Sequence, residues 1–167
     1  LAKDLNKKGN VILLMGNPDV GVNVERRDSF KKELLNYKGI SITDEIIIDD
    51  AEDDVYRKTL SCLRSRDNVD ALYITNGFPS AAARAVEDSG KTGKVKVYAF
   101  DHNQEIFSYI KKGIIAATIG QDAFGQGHDP MVWLYNNIAA DQAFPGEFIP
   151  CRLSVVDRNN VDSLIEA

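Results

Sequence analysis

The chain has 167 residues, of which 44% are hydrophobic and 27% charged, and its formal net charge is −5 at pH 7. This length and composition are typical of one well-buried globular domain. The acidic balance and the scattered basic residues argue against a nucleic-acid surface, and the longest apolar runs are far too short to span a bilayer.

The N-terminal segment, residues 1–9, is predicted to be the end of a helix. Its apolar residues recur at helical spacing, lysines follow, and Gly9 is placed as a C-cap. A chain that starts inside a helix is expected to continue upstream of Leu1, where a signal or DNA-binding segment would lie.

Predicted strands and helices alternate along the rest of the chain, which is the pattern of an open parallel sheet with helices on both faces. We expect strands over residues 10–16, 41–48, 71–76, 95–101, 116–121 and 148–156, and helices over 23–37, 53–66, 79–89, 104–112 and 124–140. The predicted fold is therefore α/β, a three-layer arrangement with flavodoxin-like strand order 2-1-3-4-5 and right-handed crossovers. The predicted left-handed C-caps are Gly39, Gly90 and Gly113.

Three of these predicted strands end in a polar side chain. The runs are 71–76 (ALYITN), 97–101 (VYAFD) and 116–121 (AATIGQ), which end in Asn76, Asp101 and Gln121. Parallel sheets bind ligands at the carboxyl ends of their strands. Two amides and a carboxylate on successive strand ends would form a set of hydrogen-bond donors and acceptors suited to a small polar molecule.

The same strands carry a resemblance to a known family. The segment 98–127, which includes the run 113–119 (GIIAATI), resembles the C-terminal half of the ribose-binding protein and lac repressor superfamily, the type I periplasmic-binding-protein-like proteins. The resemblance is specific there and diffuse over the remaining chain. It implies that Asn76, Asp101 and Gln121 bind sugar hydroxyls in a cleft between two lobes.

The resemblance also implies a division of the chain into segments. Residues 1–121 would form the C-terminal ligand-binding lobe, 122–150 would supply a helix and a strand to a missing N-terminal lobe, and 151–167 would return to the C-terminal lobe. The helix in the middle segment has a wide apolar face, which needs a large partner surface.

Further ligand-binding candidates lie in the loops that follow other strands. Asn17 belongs to the loop after the first strand, although this loop is equally interpreted as a turn with Asn23 as the helix N-cap. The family's arginine near the start of the next helix is matched by Val24, with Arg26 and Arg27 displaced from that position.

Two more candidates carry structural alternatives. Asp50 lies in an acidic run, 49–54, whose residues also suit the N-terminus of the following helix. Phe78 is preferred over Phe124 as an aromatic that stacks on a sugar ring, although both types of position are commonly core.

Features typical of other chemistries are weak. The 16–21 loop lacks a GxGxxG or Walker pattern, and the acidic residues are not placed as in response-regulator receivers. His102 and His128 have no nucleophile in an elbow motif, and His102 with Asp101 is a weak metal pattern. Asp101 itself could be the N-cap of the next helix, and Cys62 and Cys151 have no metal or redox spacing.

The sequence thus predicts non-catalytic binding of a small polar ligand, a sugar or polyol, with no cofactor and no metal. The expected partners are the missing lobe and either a membrane transporter or, through an absent segment, DNA; a homodimer is left open. A transport receptor would be periplasmic or extracellular, and a lac-repressor-type regulator cytoplasmic. The alternative is an enzyme or nucleotide-binding protein on a flavodoxin-like or Rossmann-like sheet.

Overall fold

The computed structural model describes residues 1–165, so the last two residues of the 151–167 segment lie outside the described part. Strands and helices alternate throughout. In chain order they are β1 (Gly9–Met15), α1 (Gly21–Leu34), β2 (Ile40–Ile47), α2 (Glu52–Ser65), β3 (Ala71–Ile74), α3 (Pro79–Asp88), β4 (Lys96–Phe100), α4 (Gln104–Lys112), β5 (Ile115–Gln121), α5 (Ala123–Ala140), β6 (Leu153–Asp157) and α6 (Val161–Ile165).

The strands form one sheet in the order β2-β1-β3-β4-β5-β6. All neighbours among the first five strands are parallel, which confirms the predicted order 2-1-3-4-5. The last strand, β6, pairs antiparallel with β5, with Gly120 opposite Ser154, so the complete sheet is mixed. β6 is thus the edge strand of the sheet, and an antiparallel pair of this kind does not require the crossover connection that a parallel pair needs.

Both faces of the sheet are buried because helices pack on each of them, and successive side chains of a strand point to opposite faces. In β1, Ile12 and Leu14 belong to the larger core, which is shared with α2, α3, α4 and α6. Val11 faces the smaller core on the other side, which is packed by α1 and the N-terminal turn. The arrangement is the predicted three layers, with helices on both faces of a buried sheet.

The N-terminal segment differs from its prediction. Residues 2–7 form hydrogen-bonded turns rather than an α-helix, and Gly9 is the first residue of β1 and not a helix cap. The left-handed conformations that end these turns belong to Asn6 and Lys7, with φ of 50° and 61°.

The three glycines predicted as C-caps have different roles. Gly113 caps α4 with φ of 77°, and Gly90 is also left-handed at 70° after α3. Gly39 does not have a positive φ; a Cβ at this residue would lie 2.4 Å from the Lys7 carbonyl oxygen. Gly39 is therefore required by close backbone approach.

The C-terminal region also differs in its boundaries. The strand expected at 148–156 is shorter and later, at β6 (Leu153–Asp157), and Cys151 is exposed outside it. The preceding α5 contains no buried residue, although it carries many apolar side chains. Its large exposed apolar residues are Phe124, Met131, Val132, Leu134, Tyr135 and Ile138. No helix within residues 1–165 combines the length and apolarity needed to cross a membrane.

One buried hydroxyl in α2 yields a stability prediction. Thr59 is fully buried and its Oγ1 has no hydrogen-bond partner. Replacing the hydroxyl by a methyl group removes an unpaired polar atom from the core, so Thr59→Val should raise the free energy of unfolding by about 1 kcal/mol. Urea denaturation measures this change, and Thr59→Ser is the control that keeps the hydroxyl and should not stabilise. A destabilised Thr59→Val variant would contradict the conclusion that the Thr59 hydroxyl is buried without a hydrogen-bond partner.

Candidate functional site

The ends of β3, β4 and β5 meet at one edge because these strands are adjacent and parallel. Asp101 directly follows β4, Gln121 is the last residue of β5, and Asn76 lies two residues after β3. The Gln121 side-chain amide donates a hydrogen bond to Asp101 Oδ1. The structure therefore brings two of the predicted strand-end residues into direct contact and places the third at the same edge.

Asp101 has a backbone conformation that is unusual for a residue with a side chain, with φ of 66°. Its amide donates to the Ile119 carbonyl at 2.9 Å, and its carbonyl accepts from Thr118 Oγ1 at 2.6 Å. The alternative role considered for Asp101, as N-cap of α4, is wrong. Asn103 takes that role, accepting from the Ile106 amide at 2.9 Å, so the Asp101 carboxylate is not used for capping.

Asn76 is almost fully buried, and its contacts are long. Its Nδ2 donates to Asp50 Oδ1 at 3.5 Å, and its Oδ1 accepts from the Phe78 amide at 3.4 Å. Hydrogen bonds of this length are weak, which leaves the Asn76 amide able to form stronger bonds with a ligand.

Asp50 lies in an exposed loop whose position is set by Asp54. The Asp49 amide donates to Asp54 Oδ2 at 2.9 Å, and Lys58 Nζ lies 2.8 Å from the same oxygen. Burial opposes ionisation of Asp54, but the hydrogen bonds from Lys58 and Asp49 outweigh it and lower the pKa of this carboxyl. Asp54, in the first turn of α2, thus accepts a hydrogen bond from the segment that precedes the helix. The N-cap residue itself, Ala51, has no side-chain hydrogen bond to the helix.

Arg26, which the sequence predicts to be displaced from the family's arginine position, reaches the same edge of the sheet. Its Nη1 donates to the Thr75 carbonyl at 2.7 Å, and its guanidinium carbon lies 3.8 Å from the centre of the Phe100 ring. Burial lowers the pKa of the Arg26 guanidinium, and the charge of Asp101 opposes that shift. A half-buried cation therefore lies over the end of β4, close to the strand-end carboxylate.

Val24, which the sequence matched to the family's arginine, is half-buried on α1 and has no polar group in its side chain. Two helical residues at i and i+2 do not share a face. The spacing of Asn23, Arg26 and Phe30 does put those three on one face, and Asn23 is buried while Phe30 stacks on Tyr73 at 3.8 Å. That spacing is the sequence signal that could have identified Arg26.

The end of β1 completes this edge. The Gly16 amide donates to Thr75 Oγ1 at 2.9 Å, and a Cβ at Gly16 would lie 2.6 Å from Asn23 Nδ2. Asn23 is therefore packed inside the first turn of α1 and is not its N-cap, which is Val20. Asn17 lies in the exposed turn, and its Oδ1 accepts from the Asp19 amide at 2.9 Å.

The aromatic and histidine candidates separate into different environments. Phe78 is half-buried and packs against the larger core, next to Asn76. Phe124 is 76% exposed on α5 and stacks on His128 with ring centres 5.0 Å apart. His102 is exposed and stacks on Phe107, at 5.7 Å between centres. Phe78 is thus the aromatic adjacent to the strand-end amide.

The comparisons with known proteins agree with this fold. A family model described as a periplasmic binding protein domain matches residues 1–142. The chain belongs to the periplasmic binding protein domain family. A curated relative, the D-galactose/methyl-galactoside binding periplasmic protein MglB of Haemophilus influenzae, is 33% identical over 147 residues, which cover 83% of this chain and 43% of the relative.

Solved structures show the same fold. An ABC transporter periplasmic solute binding protein from Actinobacillus succinogenes, with bound D-allose, superposes with a TM-score of 0.88 at 26% identity. The match covers 97% of this chain and 56% of that one. A solute binding protein from Bacillus halodurans, with bound myo-inositol, has a TM-score of 0.86 at 23% identity, covering 98% and 56%. The chain thus spans about half the length of the proteins it matches.

The contacts of the Asp54 carboxylate with the Asp49 amide and Lys58 predict that the stability of the fold depends on pH. Because the pKa of Asp54 is lowered in the folded protein, its stabilising effect is present above the unfolded value of 3.8 and is lost as the pH falls through the lower folded value. Asp54→Asn should lower the free energy of unfolding at pH 7 by about 1 kcal/mol. Its difference from the wild type should shrink below pH 3.8.

Chemical denaturation at a series of pH values measures this difference. Asp53→Asn is the matched control, since Asp53 is exposed in the same first turn. A difference between Asp54→Asn and the wild type that stays constant across the acidic range would contradict the role given to the charge.

Proposed function

We propose that this chain is the ligand-binding lobe of a sugar-binding solute receptor serving an ABC-type transporter, and that it binds without catalysis. The observation that carries the proposal is the convergence of Asp101, Gln121 and Arg26 at one sheet edge, with Asn76 beside them. Carboxylate, amide and guanidinium groups together accept and donate hydrogen bonds, as neighbouring sugar hydroxyls require.

The charge balance of the site favours a neutral polyol. Arg26 and Asp101 carry opposite charges. Burial lowers the pKa of the Arg26 guanidinium, and the charge of Asp101 opposes that shift. The two side chains bring opposite charges to the same edge, which favours a ligand without net charge. Asn17, Asp50, Phe78 and Val24 lie in the loops and helix that border this edge, and we include them as further ligand-contacting candidates.

A solute receptor is favoured over a lac-repressor-type regulator by the relatives, which are described as periplasmic and as parts of ABC transporters. The alternative of an enzyme or nucleotide-binding protein has no comparable support. The turn after β1 uses Asn17 and Asn23 in local contacts and has no phosphate-loop pattern.

We further propose that residues 122–150 belong to a second lobe and that residues 151–165 return to this one. In support, α5 has no buried residue, while its exposed side chains include Met131, Leu134 and Ile138. Such a face needs a partner surface. In an intact protein the second lobe would cover it and close over the ligand; in the isolated chain the same face could drive formation of a homodimer.

The first test removes the strand-end carboxylate. Asp101→Ala in the intact protein should weaken sugar binding by about a hundredfold or more, because charge-assisted hydrogen bonds contribute roughly 1.5 to 3 kcal/mol each. Isothermal calorimetry against D-galactose, D-allose and myo-inositol measures it. Asp162→Ala is the control, since Asp162 is exposed on α6 and pairs with Lys111. Unchanged affinity of Asp101→Ala would remove Asp101 from the site.

The second test concerns the arginine. Arg26→Lys keeps the charge but loses the planar donor pair and the stacking on Phe100, so affinity should fall about tenfold. The matched control is Arg27→Lys, because Arg27 is adjacent on α1 but pairs with Asp28 at 2.7 Å and Glu45 at 3.8 Å. Equal effects of the two substitutions on calorimetric affinity would contradict a direct role for Arg26.

A further inference from the structure

The hydroxyl of Thr118 donates a hydrogen bond to the backbone carbonyl of Asp101, the residue whose carboxylate is proposed to bind the ligand. We propose that Thr118 is a positioning residue, whose hydroxyl holds Asp101 in the left-handed conformation that presents its carboxylate to the ligand. This inference rests on the proposed function, since it concerns the same site. Thr118 lies within β5 and is 1% exposed.

The conformation of Asp101 is the first step of the argument. Its φ of 66° lies in the region that residues with a Cβ seldom occupy, because the side chain crowds the following carbonyl. Such conformations persist where surrounding contacts over-determine them, and they are concentrated at ligand sites. Aspartate enters this region more readily than most residues, and the contacts around Asp101 select this state over an extended one.

The ladder between β4 and β5 shows how the chain leaves the sheet at this point. Ala99 pairs with Thr118 and Phe100 with Ile119, and the Asp101 amide still donates to the Ile119 carbonyl. The Asp101 carbonyl instead turns back and accepts from Thr118 Oγ1 at 2.6 Å. The threonine hydroxyl thus takes the place that a strand amide would have if Asp101 continued the strand.

The turn has a direct consequence for the side chain. In an extended strand, the residue after Phe100 would point to the same face of the sheet as Ala99. In the left-handed turn, the Asp101 carboxylate instead reaches the sheet edge, where the Gln121 amide donates to it and where a Cβ at Gly77 would lie 3.8 Å from its Oδ2. Because Thr118 is buried and valine has nearly the same shape as threonine, Thr118→Val opens no space for a water molecule at the position of the hydroxyl.

The experiment compares two substitutions of Thr118 in the intact protein. Thr118→Val removes the hydroxyl at constant shape and should weaken binding by about tenfold, measured by calorimetry with D-galactose, D-allose and myo-inositol as probes. Thr118→Ser keeps the hydroxyl and should retain affinity within about twofold. Thr59→Val is the matched control, because Thr59 is also buried but its hydroxyl has no partner.

Two measurements separate positioning from general stability. Calorimetry is run well below the thermal midpoint of every variant, so that only folded protein is compared. The scalar coupling between the Asp101 amide and α protons, measured by NMR, reports φ and should change in Thr118→Val but not in Thr59→Val. If Thr118→Val does not fold, Thr118→Ala takes its place.

The outcomes are distinguishable. If Asp101→Ala loses binding but Thr118→Val binds like the wild type, the positioning role is wrong and the proposed function stands. If Thr118→Ser loses as much affinity as Thr118→Val, the hydroxyl is not the cause and the inference is overturned. If Asp101→Ala binds sugar as the wild type does, the proposed site is wrong and the inference fails with it.

Discussion

Parallel pairing of β1, β3, β4 and β5 is the constraint on which the site depends. In a parallel sheet every carboxyl end lies at the same edge, so residues far apart in sequence, such as Asn76 and Gln121, come to one edge of the sheet. Helices bury both faces of the sheet. The strand ends are therefore the place where polar side chains emerge from an apolar layer. Hydrogen bonds formed there are partly shielded from water and are stronger for it.

Polar residues at this edge are held in place by hydrogen bonds to two buried threonines, Thr75 and Thr118. Thr75 uses its hydroxyl to bind the Gly16 amide and its carbonyl to bind Arg26, so one buried residue ties β1, β3 and α1 together. Thr118 binds the Asp101 carbonyl from the neighbouring strand. Both threonines are almost completely buried, and each satisfies a backbone group that the end of the ladder leaves unpaired.

The sequence predicted the sheet order and the strand-end residues because both follow from local patterns, namely alternation of elements and an apolar run that ends in a polar side chain. It missed Arg26 because the reach of a helical side chain depends on how α1 packs on the sheet, which is a tertiary property. The boundary of β6 was wrong for a similar reason: an exposed antiparallel return strand has little apolar pattern, and of its five residues only Val156 is buried. The sequence left the capping role of Asp101 open, and the structure excludes it because Asn103 caps α4. The ligand-binding role of Asp101 stays a prediction.

The energetics of the edge explain why the proposed sugar receptor needs a second surface. Of the four polar side chains that converge here, the charged Asp101 and Arg26 contribute roughly 1.5 to 3 kcal/mol each to ligand binding, and the amides of Asn76 and Gln121 about 1 kcal/mol each. This gross free energy is offset by the translational and rotational freedom lost on association, which costs roughly 4 kcal/mol or more, so a single lobe binds its ligand weakly. An open edge also leaves one side of the ligand in water, where its hydroxyls gain nothing from burial. On the proposed two-lobe arrangement, contacts from the facing lobe would add to the binding free energy without a second loss of that freedom, so the affinity would rise steeply. Closure would then be driven by the ligand itself, since only the closed state makes both sets of contacts.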